Sequence, residues 1–230
     1  MYGKNPSELY NNIQQATKYT RLIEIRLDCL YDANISLHID VLGMLIKNFL
    51  DVDFIITCRM QQCGGNCENN YQNWTEVMKK AIELDFAYID IDLELAKIDD
   101  LMHGLTNLRR NCGSKTQFII SYHNFTLTPE CDELQILGDE MNNLDCDIQK
   151  FATTVDSIID LQKLVTHLIH STSQNKCVMV GMGDNEFAKK SRILSLLLGG
   201  EFSFFSLQGM TTASGQLTAQ QGLEILEKLT

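Results

Sequence analysis

Nothing in the 230 residues approaches the run of ~18 apolar side chains that a membrane span needs. There is also no low-complexity linker or composition break to mark a second domain. Positive charge is scarce, with 19 Lys and Arg against 30 Asp and Glu and a formal net charge of −11. That balance argues against nucleic acid as a partner, because phosphate binding draws most of its affinity from clustered cations. An anionic small molecule fits only where positive charge is gathered locally. The eight cysteines, at 29, 58, 63, 67, 112, 131, 146 and 177, are too few and too dispersed for a disulfide scaffold of this size, and no apolar signal segment stands before them. A reducing, cytoplasmic protein is expected.

What is present is an alternation. Apolar, β-rich segments begin near Leu22, Asp53, Phe86, Thr116, Asp147, Lys176 and Phe202, most of them about 30 residues apart, the length of one strand-plus-helix unit. Between them lie stretches of helical period such as NWTEVMKKAIEL, SIIDLQKLVTHLIH and AKKSRILSLLLGG, the last closed by glycines as helix ends often are. A hydrophobic content of 44% can fill a full core, and single α/β barrels commonly run to about 250 residues. One α/β domain over residues 1–230, a (β/α)8 TIM barrel, is therefore expected. Seven strands are countable where such a barrel has eight. The chain opens at MYGKNPSELYNN, already a turn and a helix start, so the first strand reads as truncated to Met1 and Tyr2 or missing, with an upstream start favoured over a barrel open at one seam.

Charge is placed with the same regularity. In LIEIRLDCL a side-chain period of two puts Glu24, Arg26 and Asp28 on one face and Ile23, Ile25 and Leu27 on the other. YIDIDLEL repeats the pattern with Asp90, Asp92 and Glu94. Inside a barrel such charges must be paired or solvated in a pocket, since each costs several kcal/mol otherwise (roughly, by desolvation). An antiparallel sheet with one wet face explains either segment alone; two of them in a βαβ rhythm favour the barrel. Arg59 ends DFIITCR, His123 ends TQFIISYH, Lys150 sits in DIQKFATT and Arg192 follows VMVGMG. Singly, each is more often a paired or snorkelling residue; together they mark strand C-terminal ends, where barrel enzymes keep their chemistry.

The series EIRLD, TCR, IDLE, SYHNF followed by TP, KFAT, GMG followed by SR, and TASGQ resembles type I 3-dehydroquinate dehydratase in order and spacing over nearly the whole chain. The resemblance implies a homodimeric lyase without metal or cofactor that dehydrates 3-dehydroquinate to 3-dehydroshikimate in the shikimate pathway. It implies Lys150 as the Schiff-base lysine and His123 as general acid/base. Arg192 would hold the substrate carboxylate, and Glu24, Arg59 and Gln216 its hydroxyls. Arg26 joins these contacts, Asp28, Asp92 and Glu94 support them, and Thr212 and Ala213 fall in the substrate-closing loop. The chemistry needs these types: a neutral amine attacks a ketone, an imidazole titrates near neutrality, and a guanidinium fork fits a carboxylate.

One position departs from the family pattern. RMQQCGG places Cys63 where the family commonly has a Glu that supports the catalytic imidazole, and a thiol is the weaker partner. Cys58, Cys63 and Cys67 also cluster, but without C-x2-C spacing, so no metal is expected. Two other readings stay open: a Schiff-base barrel of the class I aldolase or transaldolase kind, and a non-catalytic relative that binds a ligand or partner.

Overall fold

The computed structural model describes residues 1–30, 34–210 and 215–229. Two units divide the chain, Met1–Phe118 and Ile119–Thr230. The first runs α1 (Pro6–Ala16), β1 (Leu22–Arg26), α2 (Ile35–Asn48), β2 (Asp53–Thr57), α3 (Tyr71–Glu83), β3 (Tyr88–Asp92), α4 (Leu93–Ala96) and α5 (Asp99–Cys112). The second holds β4 (Gln117–Asn124), whose first two residues belong to the first unit, then α6 (Cys131–Asn142), β5 (Ile148–Thr154), α7 (Ile158–Thr172), β6 (Lys176–Met182), α8 (Glu186–Leu197) and α9 (Ala219–Leu229).

Within the first unit β1 pairs β2 and β2 pairs β3, all parallel, with Leu22 opposite Asp53 and Ile55 opposite Tyr88. Within the second, β4 pairs β5 and β5 pairs β6, again parallel, with Ser121 opposite Lys150 and Lys150 opposite Val178. Asparagine starts many of the helices: Asn5, Asn34, Asn70 and Asn185 each accept from a backbone N–H of the first turn, filling the orphan donors there. The amphipathic stripes fall as the sequence predicts. In α3, Trp74, Val77, Met78, Ala81 and Ile82 are buried, at the i, i+3, i+4, i+7, i+8 spacing of one helix face. Each large side chain so removed from water contributes about 1.5–3 kcal/mol. The indole Nε1–H of Trp74 donates to the Cys58 carbonyl at 2.8 Å, which pins α3 to the end of β2.

Three strand expectations change. The described residues contain six parallel strands where the sequence shows seven candidates; the segment at Phe202 is not one of them. It has no strand assignment, and what it makes is Glu201 N–H on the Cys177 carbonyl at 3.0 Å and an isolated bridge from Ser206 to Thr218. The second change is that β1 stops at Arg26 and Asp28 lies in a 3-10 turn, Leu27–Cys29, because Arg26 folds back onto the Asp28 carboxylate. The third is that β3 stops at Asp92, whose carboxylate caps the one-turn helix α4, so Glu94 leaves the strand face and sits exposed beside Lys97 at 3.3 Å. At the N-terminus, Met1 lies along β1: Arg26 N–H donates to its carbonyl at 2.8 Å and its amino group donates to the Glu24 carbonyl.

Candidate active site

In the first unit the charged face of β1, β2 and β3 is a set of pairings. Arg26 is held in a fork by Asp28, Nε to Oδ1 at 2.8 Å and Nη2 to Oδ2 at 2.7 Å. Burial opposes the Asp28 charge, but the Arg26 hydrogen bond and field overcome it and hold the carboxyl below its ordinary range. Arg59, just beyond β2, is 7% exposed and donates from Nη2 to Asp90 at 2.8 Å and from Nη1 to Asp92 at 3.1 Å. Burial works against its charge, and Asp90 and then Asp92 outweigh that, so its pKa is raised. Glu24 on β1 accepts from the Thr57 hydroxyl at 2.9 Å.

Cys63 ends a 3-10 turn, Gln61–Cys63, and is 8% exposed. Its thiol hydrogen-bonds the Asp92 carboxylate, and burial followed by that acidic neighbour pushes it up to about 12, so it stays protonated at neutral pH. The loop around it is tight. Gly65 lies so close to the Arg59 carbonyl that a Cβ there would come within 2.1 Å of the oxygen, which only glycine avoids.

The second unit carries the other groups. Lys150 is 5% exposed in the middle of β5, a strand buried at six of its seven positions. Its Nζ stands 4.5 Å from the centroid of the Phe204 ring. His123 is two residues beyond Ser121, the register partner of Lys150, so the period of two puts Ser121 and His123 on one face of β4. The imidazole stacks near Phe125, with centroids 6.0 Å apart and planes at 21°. Arg192 is fully buried on α8 and donates from Nη1 to the Phe204 carbonyl at 3.2 Å. Gly215 (φ 72°), next to Gln216, packs against the turn after β6, where a Cβ would meet the Gly183 carbonyl at 1.9 Å. Thr212 and Ala213 lie outside the described residues.

Sequence reasoning missed three partners. Asp90 was visible in the YIDIDLEL alternation but not as a ligand of Arg59. Thr57 and Phe204 carry no charge and no motif of their own; only the fold shows that one bonds Glu24 and the other faces Lys150 and Arg192. The remaining buried histidines are structural: His38 bonds the Leu27 carbonyl at 3.1 Å and His167 the Ser171 hydroxyl at 3.2 Å. Among the described residues no group of three or more His, Cys, Asp or Glu is arranged to hold a metal ion.

A sequence model of the type I 3-dehydroquinase family matches residues 1–230. A 3-dehydroquinate dehydratase of Methanococcus maripaludis is 33% identical over 224 residues, 97% of this chain and 95% of that one. A 3-dehydroquinate dehydratase of Coxiella burnetii is 31% identical over 215 residues, 94% and 85% of the two chains. In fold, the chain is similar to the crystal structure of a type I 3-dehydroquinate dehydratase from Clostridium difficile, with a TM-score of 0.87 at 21% identity, over 99% of this chain and 88% of that one.

Proposed function

Because the chain belongs to the type I 3-dehydroquinase family, we propose that it dehydrates 3-dehydroquinate to 3-dehydroshikimate through a Schiff base on Lys150. The observation that carries this reading is an amine 5% exposed in mid-strand, whose register partner Ser121 shares a β4 face with His123. In its neutral form the Lys150 amine attacks the C3 ketone, and water leaves as the iminium forms. The iminium withdraws electrons and acidifies the C2 proton. His123 takes that proton and delivers one to the C1 hydroxyl, which departs as water, and hydrolysis of the iminium returns the lysine. The net change is the loss of one water from the substrate. Arg192 offers a fork to the substrate carboxylate. Glu24, Arg26, Arg59 and Gln216, with Thr212 and Ala213, are assigned to the rest of the substrate by resemblance. The same reading places the reaction in the shikimate pathway.

Borohydride added with 3-dehydroquinate should leave a reduced adduct on Lys150 by peptide mass mapping, while Lys150→Met shows neither adduct nor the ultraviolet absorbance of the conjugated product. Turnover without any adduct on Lys150 would overturn the covalent route. The resemblance puts Cys63 at a carboxylate position of the family, and a protonated thiol donates weakly there, so Cys63→Glu is expected to raise kcat and change the pH–rate profile.

A further inference from the structure

We propose that Cys58 and Cys67 form a redox-active dithiol, a modification site that closes to a disulfide under peroxide and so draws Arg59 away from its carboxylates. The pair is brought together by backbone. Cys67 N–H donates to the Arg59 carbonyl at 3.0 Å, Gln61 N–H donates to the Cys67 carbonyl at 2.8 Å, and Met60 and Cys67 form a bridge. Gly65, pressed against the Arg59 carbonyl, holds this turn closed. Asn66 ties the same turn to Asp28, N–H to Oδ2 at 3.2 Å. The two sulfurs end in hydrogen-bonding contact, Cys58 donating to Cys67.

The two thiols differ in ways that suit a sensor. Cys58 is 2% exposed, whereas Cys67 is partly open to solvent. The hydrogen bond from Cys58 lowers the pKa of Cys67, while Cys58 itself is raised well above the ordinary thiol value. A reachable thiol with added thiolate character beside a buried resolving thiol is the arrangement peroxide sensors use. By contrast, burial pushes Cys146 and Cys177 up to about 12, which keeps them inert.

The chemistry balances with hydrogen peroxide as oxidant. The Cys67 thiolate attacks one peroxide oxygen, the O–O bond breaks, and the departing hydroxide takes a proton to leave as water, giving a sulfenic acid. The Cys58 sulfur then attacks that sulfur, the S–O bond breaks, and a second water leaves with the Cys58 proton. Two thiols lose two electrons and one peroxide becomes two waters. The new bond pulls Cys67 onto the residue preceding Arg59, and it shortens the contact across the Arg59 carbonyl. The guanidinium that spans Asp90 and Asp92 moves with its backbone.

Graded peroxide on the intact reduced protein tests this, read by mass and by activity. Trypsin cuts between the two cysteines, after Arg59, so the disulfide is expected to join the peptide ending in Arg59 to the one beginning at Met60, with fragment ions assigning it to Cys67 and not Cys63. Dehydration is expected to fall about a hundredfold on bridging, the scale of a catalytic group misplaced by ~1 Å, and to return with dithiothreitol. Cys67→Ser keeps the basal activity and resists peroxide; a variant with Cys112 and Cys131 both changed to Ser stays sensitive. Failure to find the bridge at peroxide levels that oxidise exposed Cys112 would overturn the dithiol. A bridge with unchanged turnover and unchanged Trp74 emission would overturn its coupling to Arg59. The mass readout does not depend on the proposed activity: if the reduced protein fails to dehydrate, that functional reading falls, and the bridge and its effect on Trp74 are still measured.

Discussion

Arg59 in the first unit and Lys150 in the second are both cations less than 10% exposed at the ends or centres of parallel strands, and the groups set against them include different kinds. Arg59 is gripped by two carboxylates, and Arg26 by a third. Lys150 faces an aromatic ring, and Arg192 gives one N–H to a carbonyl of the same residue, Phe204. A guanidinium between two acids is fixed in direction and keeps its proton at any accessible pH, which suits a permanent hydrogen-bond donor. A ring face attracts a cation less strongly than a carboxylate does, which suits the proposed role of Lys150 as a Schiff-base amine. The first unit buries Arg26 and Arg59 against carboxylates, and the second sets Lys150 over an aromatic ring.

The largest effect expected on this contrast comes from breaking the grip. Asp90→Ala leaves Arg59 buried with one acid and should cost about 3 kcal/mol in urea unfolding. A loss near zero would mean that the grip contributes little. Acid acts next, on a buried histidine in each unit, since burial also lowers the pKa of His38 in the first. His167 in the second unit is held neutral, its pKa lowered to about 4 by burial first and by His170. Its contribution is present above the ordinary value near 6.5 and is lost as pH falls through the folded value, up to about 3 kcal/mol. Asp28 in the first unit, also lowered, loses its contribution only below the ordinary carboxylate value of 3.8. Stability measured between pH 7 and pH 4.5 should therefore fall in the parent protein and fall less in His167→Gln, which keeps the share due to His38. A smaller change is expected from Thr57→Val, which removes one hydrogen bond to Glu24 and should cost about 1.5 kcal/mol, appearing in KM more than in kcat. Smallest is Glu94→Gln, which breaks only an exposed pair with Lys97 and should stay within about 0.5 kcal/mol by thermal unfolding.

The alternation of Ile23 and Ile25 with Glu24 and Arg26 was readable because burial on one face leaves a period of two in the sequence, and the helices were readable because theirs is near 3.6. Where a strand stops was not. Asp28 and Glu94 continue the written alternation, but a side chain folding back on Asp28 and a cap made by Asp92 end the strands first. The segment at Phe202 has strand composition, yet only tertiary pairing decides whether an extended chain joins a sheet. Lys150, His123, Arg59 and Arg192 stood out as charges in apolar surroundings. Phe204 did not, because an aromatic residue in an apolar run looks like core until its neighbours are known.

The single tryptophan of the chain, Trp74, is 1% exposed and bonded to the Cys58 carbonyl, so the protein carries one optical reporter and it sits in the first unit. Its emission on denaturation follows that unit alone, whereas far-ultraviolet circular dichroism follows the helices of both. Coincident curves would show one cooperative transition, and a fluorescence midpoint displaced from the dichroism midpoint would show that the unit of Arg59 and the unit of Lys150 melt separately.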